Sequence, residues 1–226
     1  MFVSILLDLL QGFGVTLCLF AVTLILSLPL GLAMSFGSMS KFKPLKYFVK
    51  GVIWVIRGTP LMLQILLVSF IPMYLFGIMN KDLAIFFGIN TKTLLFVFVA
   101  VAFIINYSCY FSEIFRSGIE SIPQGQYEAG KVLGMTKRQV FKNVIFMQVV
   151  KRIIPPMSNE IITLVKDTAL AQILGVVDLL NSANHAVNEF VVLSPLVYAA
   201  VFYLLFNGLL TLLFGFAEKK LSYYKI

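Results

Sequence analysis

LLQGFGVTLCLFAVTLILSLPLGLAMSFGSMS, residues 9–40, carries no charged side chain. About 20 mainly apolar residues carry an α-helix across the hydrocarbon of a bilayer, so this run supplies a first membrane span near 12–36. Working outward, Gly58–Asn80, Thr93–Ser112 and Pro195–Ala217 are likewise uncharged. They predict spans near 58–79, 93–116 and 195–217, with Pro72 as a kink in the second. Composition agrees: 60% of the 226 residues are hydrophobic, 12% are charged and mean hydropathy is +0.95. A water-soluble domain of this length has too little interior to hide that much apolar side chain. The expected fold class is therefore all-α, a single polytopic membrane domain over residues 1–226.

The run 153–177 is long enough to span but holds Glu160, Lys166 and Asp167. Its flanks, IIPPMSNEIITLV and TALAQILGVV, are strongly apolar, and it reads as a span that carries functional polarity. That makes five spans, which puts the two termini on opposite sides. With the N-terminus outside, fifteen of the 18 Lys and Arg fall on inner segments, the last of them Lys225. Only Lys81 and Lys92 fall outside, and Lys166 lies within the membrane. Short cytoplasmic loops retain basic residues, so the C-terminus is expected inside, and the net charge of +8 reports topology rather than a nucleic-acid partner. The N-terminal MFVSILLDLL lacks the basic start of a secretory signal and is expected to be retained.

The inner segment 117–152 has local structure of its own. Pro123 suits a first helical turn and Gly134 the position just past a helix end. Thr136 with Gln139 forms a capping box. The segment is expected as a helix–turn–helix of roughly 123–133 and 137–148. Cys18 and Cys109 sit in apolar runs and read as packing residues. His185 reads as a surface residue of the outer loop. No phosphate-cradling GxxxxGK[ST] occurs, so nucleotide hydrolysis in that manner is not expected. No catalytic constellation, metal-ligand set or cofactor site is expected either.

GQYEAGKVLGMTKRQVFKNVIFMQVV, residues 125–150, resembles the cytoplasmic loop motif of binding-protein-dependent ABC importer permeases. Glu128, Ala129 and Gly134 match it, Gly130 stands for its second Ala, and Phe146 and Met147 stand for a Leu-Pro. WVIRGTPLMLQILL (54–67), NYSCYFSEIFRSGIESIPQGQ (106–126) and SNEIITLVKDTALAQILGVVDLL (158–180) look like the branch that carries polar amino acids such as histidine, arginine, glutamine and glutamate. The resemblance implies a type I importer permease of the bacterial cytoplasmic membrane. Its implied partners are a separate ABC ATPase subunit, a second permease copy or close paralogue, and an extracytoplasmic substrate-binding protein. It assigns the segment 117–152 to ATPase coupling, with Glu128 offering a carboxylate, Ala129 and Gly130 allowing close approach, and Gly134 matching the motif at the turn.

Charged groups at membrane depth normally face a bundle interior or a water-filled cavity. Glu160, Thr163 and Asp167 fall on one helical face, and Asn106, Tyr110 and Glu113 on another. Two such stripes can line a path for a zwitterionic solute. Glu160 or Asp167 accepts from an ammonium; Asn106, Ser108 or Lys166 donates to a carboxylate. Glu113, Lys166 and Asp167 equally suit interhelical ion pairs, and Lys166 and Asp167 project about 100° apart. Arg57 reads as an interfacial anchor beside a helix break at Gly58 and Pro60. The intramembrane charges also fit a self-sufficient ion-coupled secondary carrier of small polar solutes, although the absence of an internal repeat opposes it. A structural assembly subunit is the third reading.

Overall fold

The computed structural model describes residues 2–221, so Met1 and residues 222–226, including Lys225 of the inner charge count, lie outside it. The described residues are helical throughout, with no strand. α1 (Phe2–Ser38) contains all but the last two residues of the 9–40 run and starts ten residues before the expected span. At 1.5 Å per residue it is about 55 Å long, well beyond the roughly 30 Å of bilayer hydrocarbon. One face of it is built from small and hydroxyl side chains, Gly12, Thr16, Thr23, Ser27, Gly31 and Ser35, all buried. Small residues let helix backbones approach closely in lipid, where no hydrophobic effect drives helices together. A Cβ at Gly31 would stand 2.9 Å from the Phe111 Cβ and the Ser108 carbonyl oxygen. Those atoms belong to α5 (Thr91–Glu120), the helix against which α1 packs most extensively.

Between α1 and α5 the chain makes a corner. The stretch 43–57, for which no secondary structure is expected above, forms α2 (Lys43–Arg57), which starts with Pro44 in its first turn. α3 (Leu61–Phe76) follows at 108° to it, with Gly58, Thr59 and Pro60 at the bend. The break anticipated at Gly58 and Pro60 is therefore present. The second span is shorter than expected, 61–76 rather than 58–79, and Pro72 lies inside it. α4 (Asn80–Phe86) leads to Asn90, whose side chain caps α5 by accepting from the Thr93 N–H at 2.7 Å.

The segment after α5 differs from expectation at its far end. α6 (Gln124–Val132) and the turn at Gly134 (φ 71°) lie where expected. The Thr136–Gln139 capping box starts α7 (Lys137–Val140). α7 then does not stop; one π-turn, Phe141–Ile145, runs it straight into α8 (Phe146–Asp167). There is no boundary at 152/153. The helix also ends at Asp167 and gives way to a 3-10 segment, Thr168–Leu174, where an unbroken helix to 177 was expected. α9 (Leu179–Phe190) follows, capped by Asp178, and α10 (Ser194–Leu221) closes the described chain.

By length and apolarity alone three helices qualify as membrane spans, α1, α5 and α10; the bent α2–α3 pair makes up to four. α8 does not qualify by that measure because its sequence mixes charge into the apolar run. The main core lies where α1, α3, α5 and α8 meet, around Leu19, Ile65, Phe103, Tyr107, Phe111 and Leu164. Each of these is at most 2% exposed. A second, small core of Ile122, Val140, Ile145 and Val149 holds the 120–150 segment together. Most of α10 turns Leu204, Leu205, Leu212 and Phe216 outward, as a lipid-facing helix does.

Candidate functional site

α8 buries Met157, Ser158, Ile161, Leu164 and Val165 and leaves the opposite side open. On that open side stand Asn159, Glu160, Thr163, Lys166 and Asp167, each exposed or half-buried. The Thr163 hydroxyl is spent on its own helix, donating to the Asn159 carbonyl at 3.0 Å. Asp167 accepts at 2.7 Å from the hydroxyl of Tyr107, which is itself buried on α5. Among the described residues neither Glu160 nor Lys166 has an ion-pair partner.

Glu160 opens onto a cavity of about 470 Å3 at the junction of the α2–α3 corner, α5 and α8, shared with Arg57, Tyr110, Glu113, Arg116 and Arg152. Of the two expected stripes, Tyr110 and Glu113 share this cavity with Glu160, whereas Asn106, Thr163 and Asp167 do not line it. The other charges here are bound to one another. Arg116 grips Glu113 through Nε at 3.0 Å and Nη2 at 2.6 Å, and reaches Glu120 at 2.6 Å. Arg57 stands 3.7 Å from Glu113 and stacks on the Tyr110 ring, 5.0 Å from its centroid. A guanidinium over an aromatic face and beside a carboxylate is held as a member of the site, so Arg57 is more than an interfacial anchor. Arg152 closes the base by donating to the Ser121 carbonyl.

Asn106 and Ser108 take other positions. Asn106 is 5% exposed and donates to Gln64 Oε1 at 3.0 Å. Gln64 in turn donates through Nε2 to the Ile56 carbonyl (2.8 Å), the Thr59 carbonyl (3.0 Å) and the Thr59 hydroxyl (2.8 Å). The two amides fasten the corner to α5 and supply donors to carbonyls that the end of α2 leaves without helical partners. Ser108 is fully buried and bonds the Ile104 carbonyl. Nothing in the helical spacing of Gln64 or Tyr107 marks these two residues; the polarity of Gln64 inside an apolar run was the one available signal.

In the 120–150 segment Glu128 and Ala129 face outward on α6 beside the fully solvated Val132 (87% exposed) and Leu133 (74% exposed). Gly130 faces the other way. It is buried, and a Cβ there would stand 2.6 Å from one Val140 methyl and 3.1 Å from the other. Its small size serves contact within the chain, between α6 and α7. Gln126 and Gln148 bond at 3.1 Å and tie α6 to the base of α8. Cys109 is buried as expected, whereas Cys18 is exposed on α1.

The chain is similar along its length to transport proteins. It is 33% identical over 214 residues to the arginine transport system permease protein ArtQ of Bacillus subtilis (strain 168), an alignment covering 94% of this chain and 92% of that one. It is 35% identical over 215 residues to the L-cystine transport system permease protein TcyB of the same organism, covering 94% and 86%. A putative glutamine transport system permease protein GlnP of Rickettsia bellii (strain RML369-C) is 29% identical over 212 residues, covering 93% and 91%. A crystal structure of an amino acid ABC transporter with histidines superposes with a TM-score of 0.80 at 30% identity, covering 97% of this chain and 96% of that one. The MetNI methionine ABC transporter in an inward-facing conformation shares the type I permease fold, with a TM-score of 0.65 at 13% identity. The model of the binding-protein-dependent transport system inner membrane component family matches residues 27–223, and the chain belongs to that family.

Proposed function

We propose that this chain is the permease subunit of an ATP-driven importer of polar amino acids in a bacterial cytoplasmic membrane. The observation that carries it is the open polar face of α8, Glu160, Thr163, Lys166 and Asp167, on an otherwise apolar bundle. Unpaired charges at membrane depth are stable only against water, a polar solute or another polar surface. A path bounded by this face and a second permease copy or close paralogue supplies all three. Glu160 and Asp167 offer acceptors to a substrate ammonium, and Lys166 offers a donor to a carboxylate. Asn106 and Ser108 support the path from behind; Tyr107 orients Asp167.

The chain crosses the membrane five times on this reading, through α1, α3, α5, α8 with its 3-10 extension, and α10. The N-terminus is outside and the C-terminus cytoplasmic, which keeps the basic segments inside. The whole chain is one membrane domain. An ABC ATPase subunit hydrolyses ATP and receives α6, with Glu128, Ala129, Val132 and Leu133 as the contacting face and Gly134 setting the turn. Gly130 positions α6 from beneath. Substrate arrives from an extracytoplasmic binding protein, and the path opens alternately to either side.

Purification from the native membrane followed by mass spectrometry of what co-purifies tests the assembly. The reading requires an ABC ATPase at about one copy per permease. Reconstitution of that complex then tests the path: uptake of radiolabelled arginine, glutamine or cystine must require ATP and fall at least tenfold in Glu160→Gln. Uptake by the chain alone without ATP would instead establish a secondary carrier.

A further inference from the structure

α2 has three distinct sides. At about 100° per residue, Lys43, Lys46, Lys50 and Arg57 fall within an arc of about 60°. The exposed Leu45, Phe48 and Val55, with the half-buried Val52, lie on the opposite arc, about 170° away. Between the two, Val49 packs toward Gly37 of α1, and Ile53 is buried. Arg57 at the end of the basic arc reaches Glu113 and Tyr110 of α5, whereas Lys43, Lys50, Leu45, Phe48 and Val55 are exposed and Lys46 is half-buried. No acidic residue occurs anywhere from Leu9 to Lys81, and among the described residues Lys43, Lys46 and Lys50 have no carboxylate partner. Tyr47 and Trp54, both largely exposed, flank the basic arc. The 108° corner sets the axis: with α3 along the membrane normal, α2 lies within about 20° of the membrane plane.

A helix in that plane with one apolar arc, one basic arc and aromatic residues at the seam has the form of an interfacial helix. We infer that α2 binds the headgroups of anionic phospholipids in the adjoining leaflet through Lys43, Lys46 and Lys50, with Leu45, Phe48 and Val55 in the acyl region. The basic arc opens beside Trp54 onto a recess of about 540 Å3 between α2 and α5, into which Lys50 and Arg57 project, and a phosphodiester headgroup fits there. This inference does not depend on the transport reading. If both hold, lipid charge acts on the cavity through Arg57, which reaches Glu113 and Tyr110 at the inner end of the same helix.

The single tryptophan, Trp54, reports on the surface directly. The full chain is reconstituted in phosphatidylcholine vesicles, and Trp54 emission is titrated with brominated phosphatidylglycerol or brominated phosphatidylcholine. Each lysine near an anionic surface contributes on the order of 1 kcal/mol. A preference of about fivefold or more for the anionic lipid is therefore expected at low salt, and 1 M salt, with a Debye length of about 3 Å, should reduce it toward unity. The K43Q/K46Q/K50Q variant should quench equally with both lipids. Equal quenching in the unmodified chain, a preference that survives 1 M salt or the triple substitution, or no quenching by either lipid would each overturn the inference. The salt titration needs no variant, so its outcome is decisive even if the triple substitution perturbs folding.

Discussion

The Gln64–Asn106 bond fastens the corner between α2 and α3 to α5, and its worth can be measured by a double-mutant cycle. Asn106→Ala leaves Gln64 Oε1 unpaired in the bundle. Gln64→Ala removes the same bond together with the donors to Ile56 and Thr59. Each single change should cost about 1–3 kcal/mol, because it strands buried polar atoms. Gln64→Ala should cost more, since the two corner carbonyls and the Thr59 hydroxyl lose their Gln64 donor at once. The Ile56 carbonyl keeps weaker donors, the Thr59 N–H and hydroxyl at 3.4 and 3.3 Å, which limits the loss. The pairwise energy is smaller than either single effect. Interhelical hydrogen bonds in lipid average about 0.6 kcal/mol and reach about 1.7 kcal/mol, so the coupling should lie in that range, about threefold to eighteenfold in the folding equilibrium. SDS titration in mixed micelles, followed by fluorescence of Trp54 two residues from Ile56, measures all four forms. A coupling energy of zero, with both singles destabilising, would refute the claim that these two amides act through each other.

Other expectations follow from the same geometry. Gly130→Ala should raise hydrogen exchange across 124–140, because overpacking against Val140 costs about 1–3 kcal/mol while helix propensity returns only about 1 kcal/mol; adding Val140→Ala should restore protection. Thr136→Ala removes a helix cap worth about 1 kcal/mol, and faster exchange confined to 137–141 is the expected readout. Tyr107→Phe deprives Asp167 of its 2.7 Å donor and should lower uptake several-fold while the thermal midpoint moves by only a few degrees. Burial pushes the Asp178 carboxyl from its usual 3.8 up to about 6. A carboxyl that holds its proton more tightly in the folded state favours folding at low pH, so stability should fall as pH rises from about 4 to about 6 and level off above. Asp178→Asn should flatten that part of a melting-temperature profile.

Much of the architecture was legible because membrane burial writes itself into one dimension. The expected span 12–36 lies within α1, and the run at 93–112 lies within α5. Thr136 with Gln139, and Gly58 with Pro60, are local devices, and both act where the sequence put them. The site was legible only as faces. Tyr110, Glu113 and Glu160 meet as their helical spacing suggested, but Asn106, one turn before Tyr110 on the same helix, turns into the bundle. The reason is Gln64, 42 positions away, and no periodicity announces a partner at that distance. α2 was missed because its lysines were counted for topology and not for their three- and four-residue spacing. Gly130 was assigned to a partner because a small residue says that something comes close, without saying from which side.

α7, the π-turn and α8 form one continuous helical stretch from Lys137 to Asp167, with Pro155 and Pro156 inside it. Its span is about 46 Å, so each end sits about 23 Å from its middle. A tilt of that stretch as one body would move its ends most. A rocking of about 5° displaces each tip by about 2 Å, enough to stretch the 2.7 Å Tyr107–Asp167 contact past any hydrogen-bonding distance. The Tyr107–Asp167 hydrogen bond thus sits where a tilt of this helix would be felt most, at the end opposite the Thr136 cap.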